Sequence, residues 1–301
     1  MILYYALGGG VGHIIRALAV LHTLNIRENV LIVSTVDSSF LKPLPRTIQF
    51  AKPPLALCND PNKLTAYIQQ LINENQPSEL MVDSFPLGIV GELKNINYFG
   101  TRTYLARILT WDRYSKCVGN QFYIYDRTLV LEPLHEDHQY IVDRISEMVL
   151  PLDIIDPPLP KPLPFLQDVE HHWLILHSGP DEEINDLINY AKQIRNIELK
   201  QNPLLLVSPS AINKWSHQQV MHKRFFPAHQ LMPFVDKIIT ACGCNTMRQA
   251  KQYRHKHHFF PFSRRYDDQY FRAAFYRNNT EDRKQQENAG NARRRMSENI
   301  S

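Results

Sequence analysis

The chain has 301 residues, of which 44% are hydrophobic and 21% charged, a balance that excludes a mainly disordered or fibrous protein and fits two domains of about 150 residues each. The formal net charge of +4 is too small to predict nucleic-acid binding by itself. The sequence has neither a signal-peptide pattern nor a run of roughly 18 apolar residues, and its four cysteines fit a reducing compartment, so we expect a cytoplasmic protein.

Short apolar runs alternate with helical patterns through the first half of the chain. Ile2–Leu7 and Val30–Thr35 predict buried strands, and the apolar spacing that follows His13 predicts a helix between them. The other predicted elements are strands at Thr47–Phe50, Leu80–Asp83, Thr103–Ile108 and Thr128–Leu131 and a helix at Leu64–Ile72. This alternation is typical of βαβ units, which form a parallel sheet.

Six prolines between Pro151 and Pro164 interrupt this pattern. Proline fixes φ and has no backbone N–H, so the stretch is neither a helix nor a central strand. We therefore predict a linker over residues 156–170 that follows a first domain of residues 1–155.

The alternation starts again after the linker and predicts a second α/β domain over residues 171–277. Because ligands of open parallel sheets bind beyond the carboxyl ends of the strands, we expect a ligand cleft between the two domains. From residue 278 to residue 301 the chain has almost no apolar side chains, which predicts a disordered tail. The elements predicted for the second domain are strands at Trp173–His177, Pro203–Val207, Lys237–Thr240 and His258–Phe262 and helices at Ile184–Ile194 and Asn245–Tyr253.

Four of the 11 glycines lie between the first strand and the first helix, at Gly8, Gly9, Gly10 and Gly12. Glycines at this place let the backbone approach a ligand and leave the helix N-terminus open to an anion. The dinucleotide fingerprint G-x-G-x-x-G would need a glycine where the chain has His13, which weakens an NAD-binding hypothesis.

His13 and Asp83 are the candidate catalytic residues. A neutral imidazole at the mouth of the cleft can take a proton from an attacking hydroxyl. Asp83 ends a predicted strand, so it lies on the same sheet edge and can orient His13 or contact a sugar hydroxyl. A capping or simple ligand-contact role for His13, and a loop-capping role for Asp83, remain open.

Two loops of the second half are candidates for binding a diphosphate. Ser178 and Gly179 join a strand to a helix, but the three acidic residues of the next turn, at positions 181–183, would repel a phosphate. We therefore expect the anion at Gly243, Asn245 and Thr246, where a tight turn, an N-cap and a hydroxyl open the next helix.

The remaining candidates lie near the ends of the same domain. Gln249 follows Thr246 by one helical turn, which places its side chain near a ribose. Asp268 and Gln269 start another helix, where a carboxylate and an amide can bind vicinal hydroxyls of a donor sugar.

Three stretches of the chain, GGGVGHIIRALAV, GCNTMRQA and FPFSRRYDDQYFRA, resemble the GT-B glycosyltransferases, and most closely the MurG-like family of UDP-N-acetylglucosamine transferases. The resemblance implies two Rossmann-like domains facing each other across a cleft, with acceptor binding in the first and nucleotide-sugar binding in the second. It implies that the first stretch faces acceptor and donor phosphates through Gly9, Gly10, Gly12 and His13. It also implies that Gly243, Asn245 and Thr246 hold the diphosphate and that Asp268 and Gln269 hold the donor sugar.

One departure from the family concerns Gln249, because the family commonly has a glutamate there that binds the nucleotide ribose. An amide forms weaker bonds to ribose hydroxyls than a carboxylate does. We therefore expect Gln249→Glu to tighten nucleotide binding.

The chain contains no Asp-x-Asp pair of the kind that holds a metal on the diphosphate in metal-dependent transferases. Cys242 and Cys244 are followed by three histidines at positions 255, 257 and 258, but the spacing is not that of a zinc finger. The HEDH sequence at residues 135–138 is interpreted as a solvated helix face. We therefore predict no metal and no cofactor.

The sequence thus predicts a metal-independent, inverting glycosyltransferase that uses a UDP-sugar and a carbohydrate, lipid-linked or small-molecule acceptor. A lipid-linked acceptor would bring peripheral membrane contact. Two alternatives stay open: a nucleotide-sugar epimerase on the same scaffold, and a nucleotide-binding protein that has lost catalysis.

Overall fold

The computed structural model describes residues 1–8, 10–36, 41, 44–119, 121–158, 169–210, 214–215 and 218–278. In this part of the chain a seven-stranded parallel sheet is followed by a five-stranded parallel sheet. The two sheets lie on either side of the proline-rich stretch in the sequence, so the predicted class of two α/β units is confirmed.

The first sheet has the strand order β3-β2-β1-β4-β5-β6-β7, and all neighbouring strands are parallel. The central strand β1 is fully buried and lies between β2 and β4, so the loops that follow β1 and β4 meet at the carboxyl edge of the sheet. The strands are β1 (Ile2–Tyr5), β2 (Val30–Val33), β3 (Ile48–Ala51), β4 (Glu79–Asp83), β5 (Thr101–Ala106), β6 (Arg127–Val130) and β7 (Val149–Pro151).

Side chains of β1 alternate between two apolar layers, because successive residues of a strand point to opposite faces. Leu3 and Tyr5 belong to one buried cluster, and Ile2 and Tyr4 to the other. The helices of this unit are α1 (Gly12–Thr23), α2 (Pro61–Asn75), α3 (Trp111–Val118) and α4 (Glu136–Arg144).

The second sheet has the strand order β10-β9-β8-β11-β12, again with parallel neighbours. Its strands are β8 (Trp173–Leu176), β9 (Leu204–Val207), β10 (Val220–Lys223), β11 (Lys237–Ala241) and β12 (His257–Phe260). Its helices are α5 (Asp181–Ile197), α6 (Cys244–Gln249) and α7 (269–278). The helix predicted over Asn245–Tyr253 is shorter than expected, because a 3-10 turn replaces it from Lys251 onward. Among the helices described, none is long and apolar enough to cross a bilayer.

After β12 the chain returns to the first sheet. The carbonyl of Tyr266 accepts a hydrogen bond from the Thr110 amide at 2.7 Å. The Tyr266 ring packs against Phe85 and Tyr114, with 5.7 Å between the ring centroids in each pair. The segment that leads into α7 therefore joins the second unit to the carboxyl edge of the first.

Candidate functional site

The carboxyl edge of the first sheet brings His13 and Asp83 together. His13 lies in the first turn of α1, which follows β1, and Asp83 is the last residue of β4. Since β1 and β4 are hydrogen-bonded neighbours, the two side chains meet, with 2.6 Å between Nδ1 of His13 and Oδ2 of Asp83. The structure therefore has the histidine–carboxylate contact that an oriented base requires.

The proton in this contact is on the histidine. Burial by itself would raise the pKa of Asp83, but Arg16 and His13 outweigh it and hold that pKa well below the usual range. The ionised carboxylate can only accept, so Nδ1 of His13 is the donor. Burial lowers the pKa of His13, and Asp83 offsets part of that effect, so the ring is neutral at pH 7. Within the residues described, Nε2 has no hydrogen-bond partner, and it lies against Gly8.

The glycines before α1 differ in what surrounds them. A Cβ atom on Gly8 would collide with the His13 ring, so glycine is required there for the ring to lie where it does. Among the described residues, a Cβ atom on Gly10 would meet nothing within 4 Å. Gly9 lies outside the described residues.

A second histidine–carboxylate contact lies beyond the carboxyl edge of the second sheet. His177 follows β8, and its Nε2 lies 2.7 Å from Oε2 of Glu183 on α5. Glu183 also accepts hydrogen bonds from the two terminal nitrogens of the Arg264 guanidinium, Nη1 and Nη2. Burial lowers the pKa of His177, and the bond to Glu183 offsets part of the change. Gly179 packs against the His177 ring, and a Cβ atom at residue 179 would collide with that ring. Gly8 packs against His13 in the same way.

The acidic turn at the start of α5 repels a phosphate less than the sequence implies, because two of its carboxylates have cationic partners. Asp181 is bound by the ammonium of Lys214 and by the Ser210 hydroxyl, the latter at 3.2 Å. Glu183 is neutralised by Arg264. The exposed Ser178 therefore lies next to a turn in which two of the three carboxylates are paired.

Helix α6 connects the candidate donor loop to the glycine loop. Its N-cap is Gly243 and the helix begins at Cys244, so Asn245 is inside the helix and not its cap. The Asn245 amide donates to the Gly12 carbonyl at 2.7 Å. Its carbonyl oxygen is buried and has no hydrogen-bond partner in the described residues. The N–H groups of Cys244 to Thr246 have no intrahelical acceptor, and their binding of a diphosphate stays a prediction.

Gln249 faces the linker. Its amide nitrogen lies 3.2 Å from each carboxylate oxygen of Asp156 and 3.2 Å from Nδ1 of His229. Arg248 donates two hydrogen bonds to the same carboxylate, one from Nη1 at 2.8 Å and one from Nη2 at 2.7 Å. The expectation that a glutamate at 249 would bind a nucleotide more tightly assumed a free side chain, whereas this side chain donates to a carboxylate.

Asp268 and Gln269 each accept a hydrogen bond from a backbone amide. Asp268 accepts from the Phe271 amide at 2.9 Å and pairs with His135 at 3.2 Å, so it caps α7. Gln269 is buried and accepts from the Phe262 amide at 3.0 Å. Their binding of a donor sugar stays a prediction.

A buried chain of ion pairs crosses from one unit to the other. Arg107, at the end of β5, binds Asp267 at 2.6 Å, and Asp267 accepts from Arg272 of α7 at 2.7 Å. Arg272 donates two hydrogen bonds to Glu132, each 2.7 Å long, and a third to the Cys242 carbonyl. Sequence reasoning missed this chain of ion pairs, because bonded partners in it are up to 160 residues apart.

The HEDH sequence is a solvated face only in part, because Glu136 and Asp137 are exposed but His138 is not. His138 is fully buried, its ring stacks on Trp111 with 4.7 Å between centroids, and its Nε2 lies 3.1 Å from the Tyr104 hydroxyl. Burial lowers its pKa to about 3. The prediction failed because α4 turns this one residue toward the sheet. Across the described ranges, no group of three or more His, Cys, Asp or Glu side chains is placed to hold a metal.

Comparisons with known proteins find similarity at the level of structure. No family model matches the chain, and no curated protein matches it either. A UDP-glucosyltransferase from Polygonum tinctorium that is capable of glucosylating indoxyl is similar, with a TM-score of 0.56 and 14% identity over 90% of this chain and 82% of that one.

Two further solved structures are also similar. UGT2 of Phytolacca americana, complexed with UDP-2fluoro-glucose and pterostilbene, has a TM-score of 0.54 and 11% identity over 90% of this chain and 81% of that one. The UDP-GlcNAc 2-epimerase of Methanocaldococcus jannaschii, in complex with UDP-GlcNAc and UDP, has a TM-score of 0.50 and 11% identity over 82% and 81%. The chain therefore has the GT-B fold, which the sequence predicted.

Proposed function

We propose that the protein is a metal-independent glycosyltransferase that moves a sugar from a UDP-sugar to an acceptor hydroxyl with inversion at the anomeric carbon. The observation that carries this proposal is the 2.6 Å bond between His13 and Asp83 at the carboxyl edge of the first sheet, which leaves Nε2 of the histidine without a partner among the described residues. The GT-B fold of the similar UDP-glucosyltransferases supports it. The three sequence stretches favour the MurG-like family within that fold.

His13 acts as the general base in this reaction. Nε2 takes the proton of the acceptor hydroxyl while the oxygen attacks the anomeric carbon. The bond between that carbon and the diphosphate oxygen breaks, and its electron pair leaves with the nucleoside diphosphate. Asp83 holds the ring in the tautomer that exposes Nε2 and stabilises the imidazolium that forms, as a buried carboxylate does in hydrolase triads.

The donor is assigned to the second unit and the acceptor to the first. The leaving diphosphate is stabilised by the free N–H groups and the Thr246 hydroxyl at the start of α6. Gly179 and Ser178 provide a second backbone contact beyond β8. The hydrogen bond from Asn245 to Gly12 supports this assignment, because it brings the start of α6 to the start of α1, which carries His13.

A nucleotide-sugar epimerase is the second candidate, and the similarity to the epimerase of Methanocaldococcus jannaschii favours it. An epimerase acts on the donor alone, whereas a transferase needs an acceptor. The two are separated by NMR analysis of UDP-glucose and UDP-N-acetylglucosamine after incubation with the protein. A new sugar epimer without acceptor supports the epimerase, and a glycoside formed only with acceptor supports the transferase.

The role of His13 is tested in the same assay. We expect His13→Ala to lower kcat at least about 10²-fold with little change in donor binding. His22→Ala is the matched control, because His22 is an exposed histidine on the same helix. Glycoside formation should also survive EDTA. Equal rates for the two variants would remove His13 from the mechanism, and a loss in EDTA that Mn²⁺ or Mg²⁺ restores would contradict metal independence.

A further inference from the structure

Ser84 lies directly after Asp83, and the reaction described above gives it no task. It is fully buried, and its φ of 70° is a left-handed conformation that costs free energy for any residue except glycine. Across it, the Phe85 amide donates to the Asp83 carbonyl at 2.9 Å. Ser84 is therefore the centre of a γ-turn with positive φ, the rarer and more strained of the two forms of this turn.

Both neighbours of Ser84 contact the His13 ring. Oδ2 of Asp83 lies 2.6 Å from Nδ1, and the Phe85 ring stacks on the imidazole with 5.9 Å between the centroids and 28° between the planes. The residue before the turn thus binds the edge of the ring, and the residue after it packs on the face. Because the γ-turn sets the direction of the chain on both sides, a change at Ser84 moves both contacts at once.

Hydrogen bonds to its backbone groups and to its hydroxyl hold Ser84 in this strained conformation. Its N–H donates to the Leu105 carbonyl at 3.1 Å, and its carbonyl accepts from the Tyr104 hydroxyl at 2.9 Å. Its hydroxyl oxygen accepts from Nη2 of Arg16 at 2.9 Å and from Nε of Arg107 at 2.7 Å. The two backbone bonds are enough to place the turn, so the pair of charged donors on the hydroxyl points to a further task.

The hydroxyl of Ser84 joins two ion pairs that come from different parts of the chain. Arg16 donates from Nε to Oδ1 of Asp83 at 2.7 Å and from Nη2 to Oδ2 at 2.6 Å. Arg107 donates from Nη1 to Asp267 at 2.6 Å, in the segment that leads into α7. Each arginine has its own carboxylate, so their charges are balanced and Ser84 transmits position rather than net charge.

Resting on the proposed function, we infer that Ser84 is a positioning residue for the His13 base. Its strained turn holds Asp83 and Phe85 against the ring, and its hydroxyl makes that geometry depend on Asp267 of the second unit. A general base works only within hydrogen-bond reach of the proton that it takes, and a displacement of about 1 Å costs about 10²-fold in rate. The base is therefore in place only when the segment before α7 is docked on the first sheet.

The first test is Ser84→Gly, because glycine adopts a φ of 70° without strain and removes only the hydroxymethyl group. The turn should persist, while Arg16 and Arg107 lose their common acceptor. The assay is UDP release from UDP-glucose and from UDP-N-acetylglucosamine, with water as the acceptor. We expect kcat to fall at least about tenfold, with the donor KM within about twofold of the wild-type value. Gln76→Gly is the matched control: it relieves a φ of 45° and removes a side-chain hydrogen bond before the start of β4, at the opposite edge of the sheet. A folded Ser84→Gly variant with the kcat of the wild type overturns the inference.

The second test does not need activity. The nitrogen chemical shifts of the His13 ring, measured by NMR, report which nitrogen carries the proton, and the bond to Asp83 places it on Nδ1. Ser84→Gly should move part of the population to the form with the proton on Nε2. Asp267→Asn removes the charge that Arg107 binds, so it should move the same signals in the same direction.

Glu79→Gln is the matched control for the loss of a charge, because it breaks the 2.8 Å pair with Arg127 at the opposite edge of the same sheet. The His13 signals should stay in place in this control. Signals that also stay in place in Ser84→Gly, or in Asp267→Asn where Ser84→Gly does not fold, overturn the inference. If the signals move but no donor reacts, the proposed function fails and the positioning role of Ser84 stands. If UDP is released and both variants keep the wild-type kcat, the role of Ser84 fails and the proposed function stands.

Discussion

Each of the two sheets carries, beyond its carboxyl edge, a histidine bound to a carboxylate that is itself bound to an arginine. In the first cluster the carboxylate is on a strand and the histidine on a helix: Asp83 ends β4 and His13 begins α1. In the second cluster the positions are exchanged, since His177 follows β8 and Glu183 lies on α5. Each histidine ring packs against a glycine, Gly8 or Gly179, at which a Cβ atom would collide with the ring.

The difference that matters is which ring nitrogen is bound. His13 uses Nδ1, and its Nε2 has no hydrogen-bond partner among the described residues and lies against Gly8. His177 uses Nε2 and leaves only Nδ1, which is close to its own backbone. The first carboxylate is fully buried and the second is 15% exposed. Under the proposed function, the same chemical groups therefore transfer a proton at one edge and support the structure at the other.

The comparison is tested most strongly by removing each carboxylate charge. We expect Asp83→Asn to lower kcat at least about 10²-fold, because the amide no longer fixes the tautomer or stabilises the imidazolium. Glu183→Gln should change kcat less than about threefold and lower the donor KM, because a negative charge leaves the neighbourhood of the diphosphate. Steady-state kinetics of both variants gives the result.

Folding must be matched for these two variants to be compared. Circular dichroism and thermal unfolding provide that control, since the buried Arg16 loses its counter-charge in Asp83→Asn. A loss of turnover in Glu183→Gln as large as that in Asp83→Asn would mean that the two clusters do not differ in role.

His138 is a third buried histidine, and in the part of the chain that the structure describes it has no carboxylate partner, so its pH dependence sharpens the comparison. The pKa of His138 is lowered by burial to about 3. Below about 6.5 the unfolded chain binds a proton at this residue and the folded protein does not, so stability falls as pH falls. Between pH 7 and pH 5 this one residue should remove about 2 kcal/mol from the free energy of unfolding.

The measurement is urea unfolding at several pH values for the wild type and for His138→Phe, which fills a similar volume. The variant should lose most of this pH dependence. Variants of His13 and His177 should lose less of it, because a carboxylate offsets the effect of burial on each. An equal contribution from all three residues would contradict the assigned effect of the carboxylates.

The glycines under the two rings give a third test. Gly8→Ala should displace the His13 ring and lower kcat by about tenfold, and it should destabilise the fold by about 1–3 kcal/mol. Gly179→Ala should destabilise the fold to a similar degree without affecting kcat, because His177 does not touch the reacting atoms. Gly10→Ala is the matched control, since its Cβ atom meets nothing. A drop in kcat for Gly179→Ala beyond what unfolding explains would break the distinction.

The parts of the site that the sequence predicts are those set by strand order. Asp83 meets His13 because apolar runs identify β1 and β4 and parallel strands end at one edge. Arg16 was missed, although its three-residue spacing from His13 was visible, because nothing local shows that it reaches Asp83. The short edge strand Val149–Pro151 was missed because it ends at the first proline of the stretch in which neither a helix nor a central strand was expected.

Contacts with the linker lay beyond sequence reasoning for a different reason. Gln249 was predicted to face a ribose from its place on α6. Its amide instead lies on Asp156, which is 93 residues away in the chain. The path of a proline-rich segment depends on tertiary packing and not on local periodicity, so no spacing rule finds this pair.

The smallest expected effect comes from Gln249, and it reverses the expectation that the family resemblance gives. Gln249→Glu replaces an amide that donates to Asp156 with a second carboxylate beside it. Arg248 already binds Asp156 with two nitrogens and offsets part of the repulsion. We therefore expect a loss of about 1 kcal/mol of stability and no gain in UDP affinity. Calorimetric titration of UDP and thermal unfolding of both proteins measure this. Gln252→Glu, at an exposed residue of the following 3-10 turn, is the control for the added charge. Tighter UDP binding in Gln249→Glu alone would mean that the bond to Asp156 opens and that residue 249 faces the nucleotide.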